Sequence, residues 1–120
     1  MILADTSIWV DYLRRGNSRF ASVLDEAAVI CHPFVVGELA CGGIRNRAEV
    51  LKLLKALPSA VVASQSEALA LVEWAGLSGR GLGWIDVHLL ASARLSGCKI
   101  WSLDKAVREA AETMAMSAPL

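Results

Sequence analysis

Residues 1–13, MILADTSIWVDYL, govern how the rest of the chain is read. Met1–Ala4 form a short apolar run suited to a buried strand. Asp5, Thr6 and Ser7 are all types that cap helix N-termini, and Ile8, Trp9, Tyr12 and Leu13 then recur at helical spacing. A strand feeds straight into a helix, with an acid at the joint. The pattern returns near the other end, where Lys99–Leu103 reads as a strand and Asp104 begins the last helix.

Between these ends, apolar runs alternate with helical patterns. Ser18 can cap a short helix through Glu26, and Val29–Cys31 reads as a strand. Pro33 suits the first turn of a helix to Cys41, ended by Gly42-Gly43. Asn46 opens a helix with the stripe Val50, Leu51, Leu54 and Leu57, closed by Pro58. Ser59–Ala63 reads as another strand, and Ser64 or Ser66 starts a helix through Trp74. Glycines 76, 79, 81 and 83 mark a loop, followed by a helix from Ile85 to Leu95 with Gly97 as its stop. Met116–Leu120 can add an edge strand. This alternation predicts a single α/β domain over residues 1–120, with a mainly parallel sheet of four or five strands flanked by helices. In such sheets ligands bind beyond the carboxyl ends of the strands.

The bulk composition narrows the class. Of 120 residues 55% are hydrophobic, so surface apolar area awaiting a partner is expected. No apolar run approaches the roughly 18 residues of a membrane span. Asp5 interrupts what would be the apolar part of an export signal, and Cys31, Cys41 and Cys98 have no CxxC spacing. A cytoplasmic location is expected, with the cysteines as small buried apolar residues. Core packing is likewise expected of Trp9, Trp74, Trp84 and Trp101. The formal charge is zero, from twelve basic and twelve acidic residues, where nucleic-acid binders are usually basic.

The twelve acids sort by helical face. Glu109 and Glu112 share a polar face with Lys105 and Arg108; Glu49 lies with Arg45 and Lys52, and Asp11 with Arg14 or Arg15. Four others behave differently. Asp5 and Asp104 follow strands, Asp86 heads the apolar stripe Asp86, Leu89, Leu90 and Ala93, and Glu38 falls on the stripe Phe34, Val35, Glu38 and Cys41. Singly, Asp5 and Asp104 also read as helix caps and Asp86 as a first-turn acid. Gathered in one pocket, two carboxylates about 4 Å apart would repel by roughly 4 kcal/mol at an effective dielectric of 20. Several such pairs rival the whole stability of a small domain, about 5–15 kcal/mol. A pocket of this kind must hold protons or cations, and oxygen-only ligands select Mg²⁺ or Mn²⁺. His32 and His88 lack the spacing of a zinc site, and the glycines at 79, 81 and 83 neither follow a strand nor end in Gly-Lys-Ser/Thr.

With these residues in view, the sequence resembles the PIN-domain nucleases, and among them the VapC-type toxins of bacterial toxin–antitoxin pairs. The matching pieces are ILADTSIWVDYL, VVGELACG around Glu38, GLGWIDVHLLASA around Asp86 and WSLDKAVREAA around Asp104. The resemblance implies a Mg²⁺- or Mn²⁺-dependent endoribonuclease, frequent homodimerisation and inhibition by a cognate antitoxin. It makes Asp5, Glu38, Asp86 and Asp104 the catalytic and metal-holding quartet, with Thr6 and Ser7 at the supporting hydroxyl positions. Two divalent ions would carry the formal charge from zero to about +4. Arg14, Arg15, Arg45 and Arg80, with Arg19 and Arg47, are candidate contacts to an RNA backbone. Rival readings are a DNA- or structure-specific nuclease of the same family, a silent PIN-like binding module, and a receiver-like signalling domain. The last wants paired acids after the first strand, where this chain has Asp5 alone.

Overall fold

The computed structural model describes residues 1–119. β1 (Ile2–Ala4) runs into α1 (Thr6–Arg15), followed by α2 (Ser18–Asp25), β2 (Val29–Ile30), α3 (Pro33–Cys41) and α4 (Arg47–Ala56). The chain continues through α5 (Gln65–Ala75), α6 (Trp84–Leu95), β3 (Lys99–Trp101) and α7 (Lys105–Thr113). The sheet is wholly parallel in the order β2–β1–β3, with Leu3 opposite Ile30 on one side and Ile100 on the other. All three strands therefore end on one edge. In the central β1, Leu3 and Ala4 are fully inaccessible, and the Asp5 amide donates to the Trp101 carbonyl at 3.0 Å as the last rung.

Three strands, rather than four or five, form the sheet among the described residues. Each flank instead carries one parallel backbone bridge, Cys31 with Ser59 and Ile100 with Ser117. The expected strand Ser59–Ala63 stops at that bridge because its neighbour ends: after Cys31 the adjoining chain turns into α3 at Pro33, which has no N–H to offer. Val61 N–H donates to Ser96 Oγ at 2.9 Å and Ala63 N–H to Ser92 Oγ at 3.1 Å. These two amides face away from β2, on whose side the rung is Ala60 N–H to the Cys31 carbonyl, so the segment is tied on its other side to α6 and the Ser96 that ends it. The edge strand expected at Met116–Leu120 is reduced to the Ser117 bridge, with Leu120 outside the described residues. β3 stops at Trp101, after which Ser102 bonds to Asp5 and to the Asp104 amide instead of a neighbouring strand.

Helix boundaries follow their caps closely. Asn17, not Ser18, caps α2, its side chain accepting from Phe20 N–H. Ser64 and Glu67 form a reciprocal capping box on α5. α4 begins after Asn46 in the left-handed conformation (φ 52°), which asparagine tolerates, without a side-chain cap. His32 caps α3: its Nδ1 accepts from Phe34 N–H at 2.9 Å while Nε2 pairs with Ser92 Oγ at 3.0 Å. Burial first, and then nearby His88, push the His32 pKa down to about 4, so the ring is neutral.

The core centres on edge-to-face aromatics: Phe20 lies 4.7 Å from Trp9 and 5.7 Å from Trp101 between ring centroids. Trp74 and Trp84 depart from the expected core role, being 65% and 42% exposed. Each is braced at the surface, Trp74 under the Arg94 guanidinium at 3.9 Å and Trp84 against His88. Cys41 is exposed, unlike Cys31 and Cys98, because α3 ends there over solvent. Among the described residues no helix is long and apolar enough to cross a membrane.

Candidate active site

The carboxyl edge of the sheet positions the acids. Asp5 leaves β1 in extended conformation and caps α1, its Oδ1 accepting from Ile8 N–H at 3.3 Å. Two hydroxyls hold the same carboxylate: Ser7 Oγ donates to Oδ1 and Ser102 Oγ to Oδ2. Asp5 is only 5% exposed and has no cationic partner; the ion pairs among the described residues are Arg15–Asp11 and Lys105–Glu109. Burial pushes its carboxyl above the ordinary range, against the opposing pull of the bonds from Ser102, Ser7 and Ile8.

Ser102 also fixes the second acid. Its Oγ accepts from Asp104 N–H at 2.9 Å, and Ser7 Oγ accepts from Leu103 N–H at 2.9 Å. Two serines thus tie the end of β3 to the start of α1, with Asp5 between them. Asp104 is exposed and caps α7, Oδ1 accepting from Val107 N–H at 3.1 Å. Asp5 and Asp104 thus both fill the capping role that the sequence offered as their alternative reading. Ser102 went unread in the sequence, where it passed for a strand residue. The signal was there: a polar residue interrupting an apolar run two places before an acid.

Glu38 approaches from α3 and accepts from Thr6 Oγ1 at 2.6 Å. The stripe expected to carry it is rotated: α3 buries Val35 and Leu39, leaving Phe34, Glu38 and Cys41 exposed. Asp86 stands at the start of α6, partly buried, its Oδ2 accepting from Gly83 N–H at 2.9 Å. Asp5 and Asp104 therefore share one hydroxyl, Glu38 joins through the residue beside Asp5, and among the described residues no hydrogen bond links Asp86 to this network. Among the described residues, no three carboxylate, imidazole or thiol groups converge as a ready ligand shell.

Two clefts flank the network. One, of about 440 Å³, is lined by Thr6, Arg14, Glu38 and Arg45 among others, and so sets two arginines beside Glu38. The other, of about 340 Å³, has Arg19, Arg108 and Asn17 around Ser102. Arg15 and Arg80 are engaged elsewhere, Arg15 with Asp11 and Arg80 with Thr113 Oγ1 at 3.5 Å. Arg47 caps the end of α3 through the Ala40 carbonyl at 3.0 Å.

A parallel sheet whose carboxyl edge carries a buried, hydroxyl-held aspartate agrees with the family match. The PIN domain family model covers residues 2–113. The chain belongs to the PIN-domain family. Two curated relatives, "Ribonuclease VapC32" of Mycobacterium tuberculosis strains CDC 1551 / Oshkosh and ATCC 25618 / H37Rv, are each 42% identical over 111 residues, covering 92% of this chain and 90% of theirs. The strand-to-helix joints of this PIN domain at Asp5 and Asp104, the α3 helix with Glu38 and the α6 start with Asp86 all lie within the matched span.

Proposed function

We propose that this PIN domain is a metal-dependent endoribonuclease acting as the toxin of a VapC-type toxin–antitoxin pair. The observation that carries the reading is Asp5, buried, held by two hydroxyls and a backbone amide, with no cationic side chain paired to it among the described residues. A buried carboxylate without counter-charge is costly unless an ion completes it. The donor set fits Mg²⁺ or Mn²⁺, which keep several waters and need only one or two carboxylates. Asp5 and Asp104 are the first candidates to hold it, with Glu38 and Asp86 reaching it directly or through water. A divalent ion at this position supplies charge neutralisation for the phosphate and a more acidic bound water.

The chain's own groups do the rest. Ser7 and Ser102 fix the Asp5 oxygens, Thr6 fixes Glu38, and Arg14 and Arg45 offer positive charge to the substrate backbone beside Glu38. In the hydrolysis the water oxygen bonds to phosphorus as one P–O bond to ribose breaks; one of the four carboxylates takes the water's proton, and the departing ribose oxygen takes a proton from solvent. The proposal extends to residues 1–120 as one PIN domain, to a cytoplasmic RNA substrate, to a homodimer and to a cognate antitoxin partner. Mapping cleavage sites on total cellular RNA with wild type and Asp5→Asn tests it. The wild type cuts, EDTA stops it, Mn²⁺ restores it and the variant is silent. Full activity in Asp5→Asn would sink the assignment, and preferential cutting of DNA oligonucleotides would move it to the DNA-directed alternative.

A further inference from the structure

We infer that Phe34 and Trp84 form a stacking subsite for an unpaired nucleobase next to the acids, so that the substrate is single-stranded there. This rests on the ribonuclease reading and extends it. Phe34 and Trp84 are 37% and 42% exposed. Both pack edge-to-face on the buried His88 ring, at 5.1 and 4.7 Å between centroids. His32, itself fixed by Ser92, braces Phe34 from a second side at 5.0 Å. The two aromatic residues are thus locked by imidazoles behind them while still open to solvent. Rings fixed in this way lose little freedom on receiving a ligand.

Their placement gives the ligand its chemistry. Phe34 lies one helical turn before Glu38, and Trp84 two residues before Asp86. Phe34, Gly37, Glu38 and Ile85 line an open, largely apolar hollow of about 490 Å³. Glu38 also lines the cleft that holds Arg14 and Arg45. A strand whose phosphates follow those arginines past Glu38 would next meet a hollow with an aromatic wall. Bases offer the matching surface, a flat π-face, only when unpaired. Gly37 keeps the hollow open. It sits inside α3, where glycine costs about 1 kcal/mol against alanine, and a Cβ placed on it meets nothing within 4 Å.

Binding of a fluorescent, unstructured oligoribonucleotide in EDTA, where cleavage is off, tests the subsite. Phe34→Leu and Trp84→Leu are expected to weaken it about 5- to 150-fold each, the span reported for loss of one base stack. Trp84→Phe should recover most of the affinity, and a fully paired duplex should bind wild type and variants alike. Gly37→Gln, a better helix former, should fold at least as well as wild type yet bind the oligonucleotide weakly because its side chain fills the hollow. Unchanged single-strand affinity in both leucine variants would overturn the inference. So would equal losses on duplex and single strand, or a shift in sedimentation state without a loss of RNA affinity, which would assign the patch to a second copy of the chain. The two readings fail separately. Normal RNA binding by leucine variants of an RNA-cleaving protein refutes the subsite alone, whereas full cleavage by Asp5→Asn refutes the acidic centre alone.

Discussion

Removing the Ser102 hydroxyl tests whether the serine bridge organises the acids. In Ser102→Ala, Asp5 Oδ2 loses its donor and the Asp104 amide its acceptor, while Ser7 and Ile8 still hold Oδ1. A hydrogen bond to a charged group contributes about 1.5–3 kcal/mol. Unfolding entropy near 2.1 cal/mol/K per residue gives this 120-residue chain about 0.25 kcal/mol/K, so the loss corresponds to a fall in Tm of roughly 6–12 °C. The hydroxyl is the largest of the influences holding the Asp5 pKa down against burial. Without it the carboxyl titrates higher, and the acid limb of the RNA-cleavage profile moves to higher pH. Ser102→Thr, which keeps the hydroxyl, should restore both. Calorimetry in EDTA at pH 7 reads the stability, and initial rates between pH 5 and 8 read the limb. A Tm within about 2 °C of wild type together with an unmoved limb would refute the account.

Three further outcomes are expected. Because burial raises the Asp5 pKa, its ionised form opposes folding once the pH exceeds that raised value. Asp5→Asn should therefore melt no lower than wild type in EDTA at pH 7, and Mn²⁺ should raise the Tm of wild type but not of the variant. His32 has its pKa pushed below the unfolded value of about 6.5, so the stability it contributes is complete above that pH and is lost as the pH falls towards about 4. The loss is roughly 1.4 kcal/mol per pH unit over this window, and His32→Asn, which retains a capping oxygen, should flatten it in urea unfolding series. Replacing Arg14 and Arg45 with Gln should reduce the slope of log affinity against log salt for single-stranded RNA by about 0.7 per residue. Arg15→Gln, whose arginine is bound to Asp11, should leave the slope unchanged; a fall equal to that of the other two would show the basic track is misplaced.

Local chemistry determined more of this protein than its modest length suggests. The joint after Met1–Ala4 could be read because an apolar run followed by three capping types admits few other structures; the same logic placed the start of α7 at Asp104, and Pro33 with Gly42-Gly43 bounded α3. Sorting acids by helical face singled out Asp5, Glu38, Asp86 and Asp104, since a carboxylate after a strand or among apolar neighbours needs a reason to be there. What sequence periodicity misjudged depended on partners far along the chain. Ser59–Ala63 has the composition of a strand, but its neighbour leaves the sheet at Pro33 and its outward amides, those of Val61 and Ala63, go to Ser96 and Ser92, some thirty residues on. The α3 stripe was read one position off, because whether Phe34 or Leu39 is buried depends on which neighbour covers the helix. Trp84 and Trp9 are the same residue type, and only packing exposed one and enclosed the other. The sequence alone thus marked out four acids as candidates for acid and metal chemistry, because charge and capping are written locally. The hydroxyl of Ser102 reaching Asp5 across 97 positions was decided by the tertiary structure alone, because parallel strands bring distant carboxyl ends to a common edge.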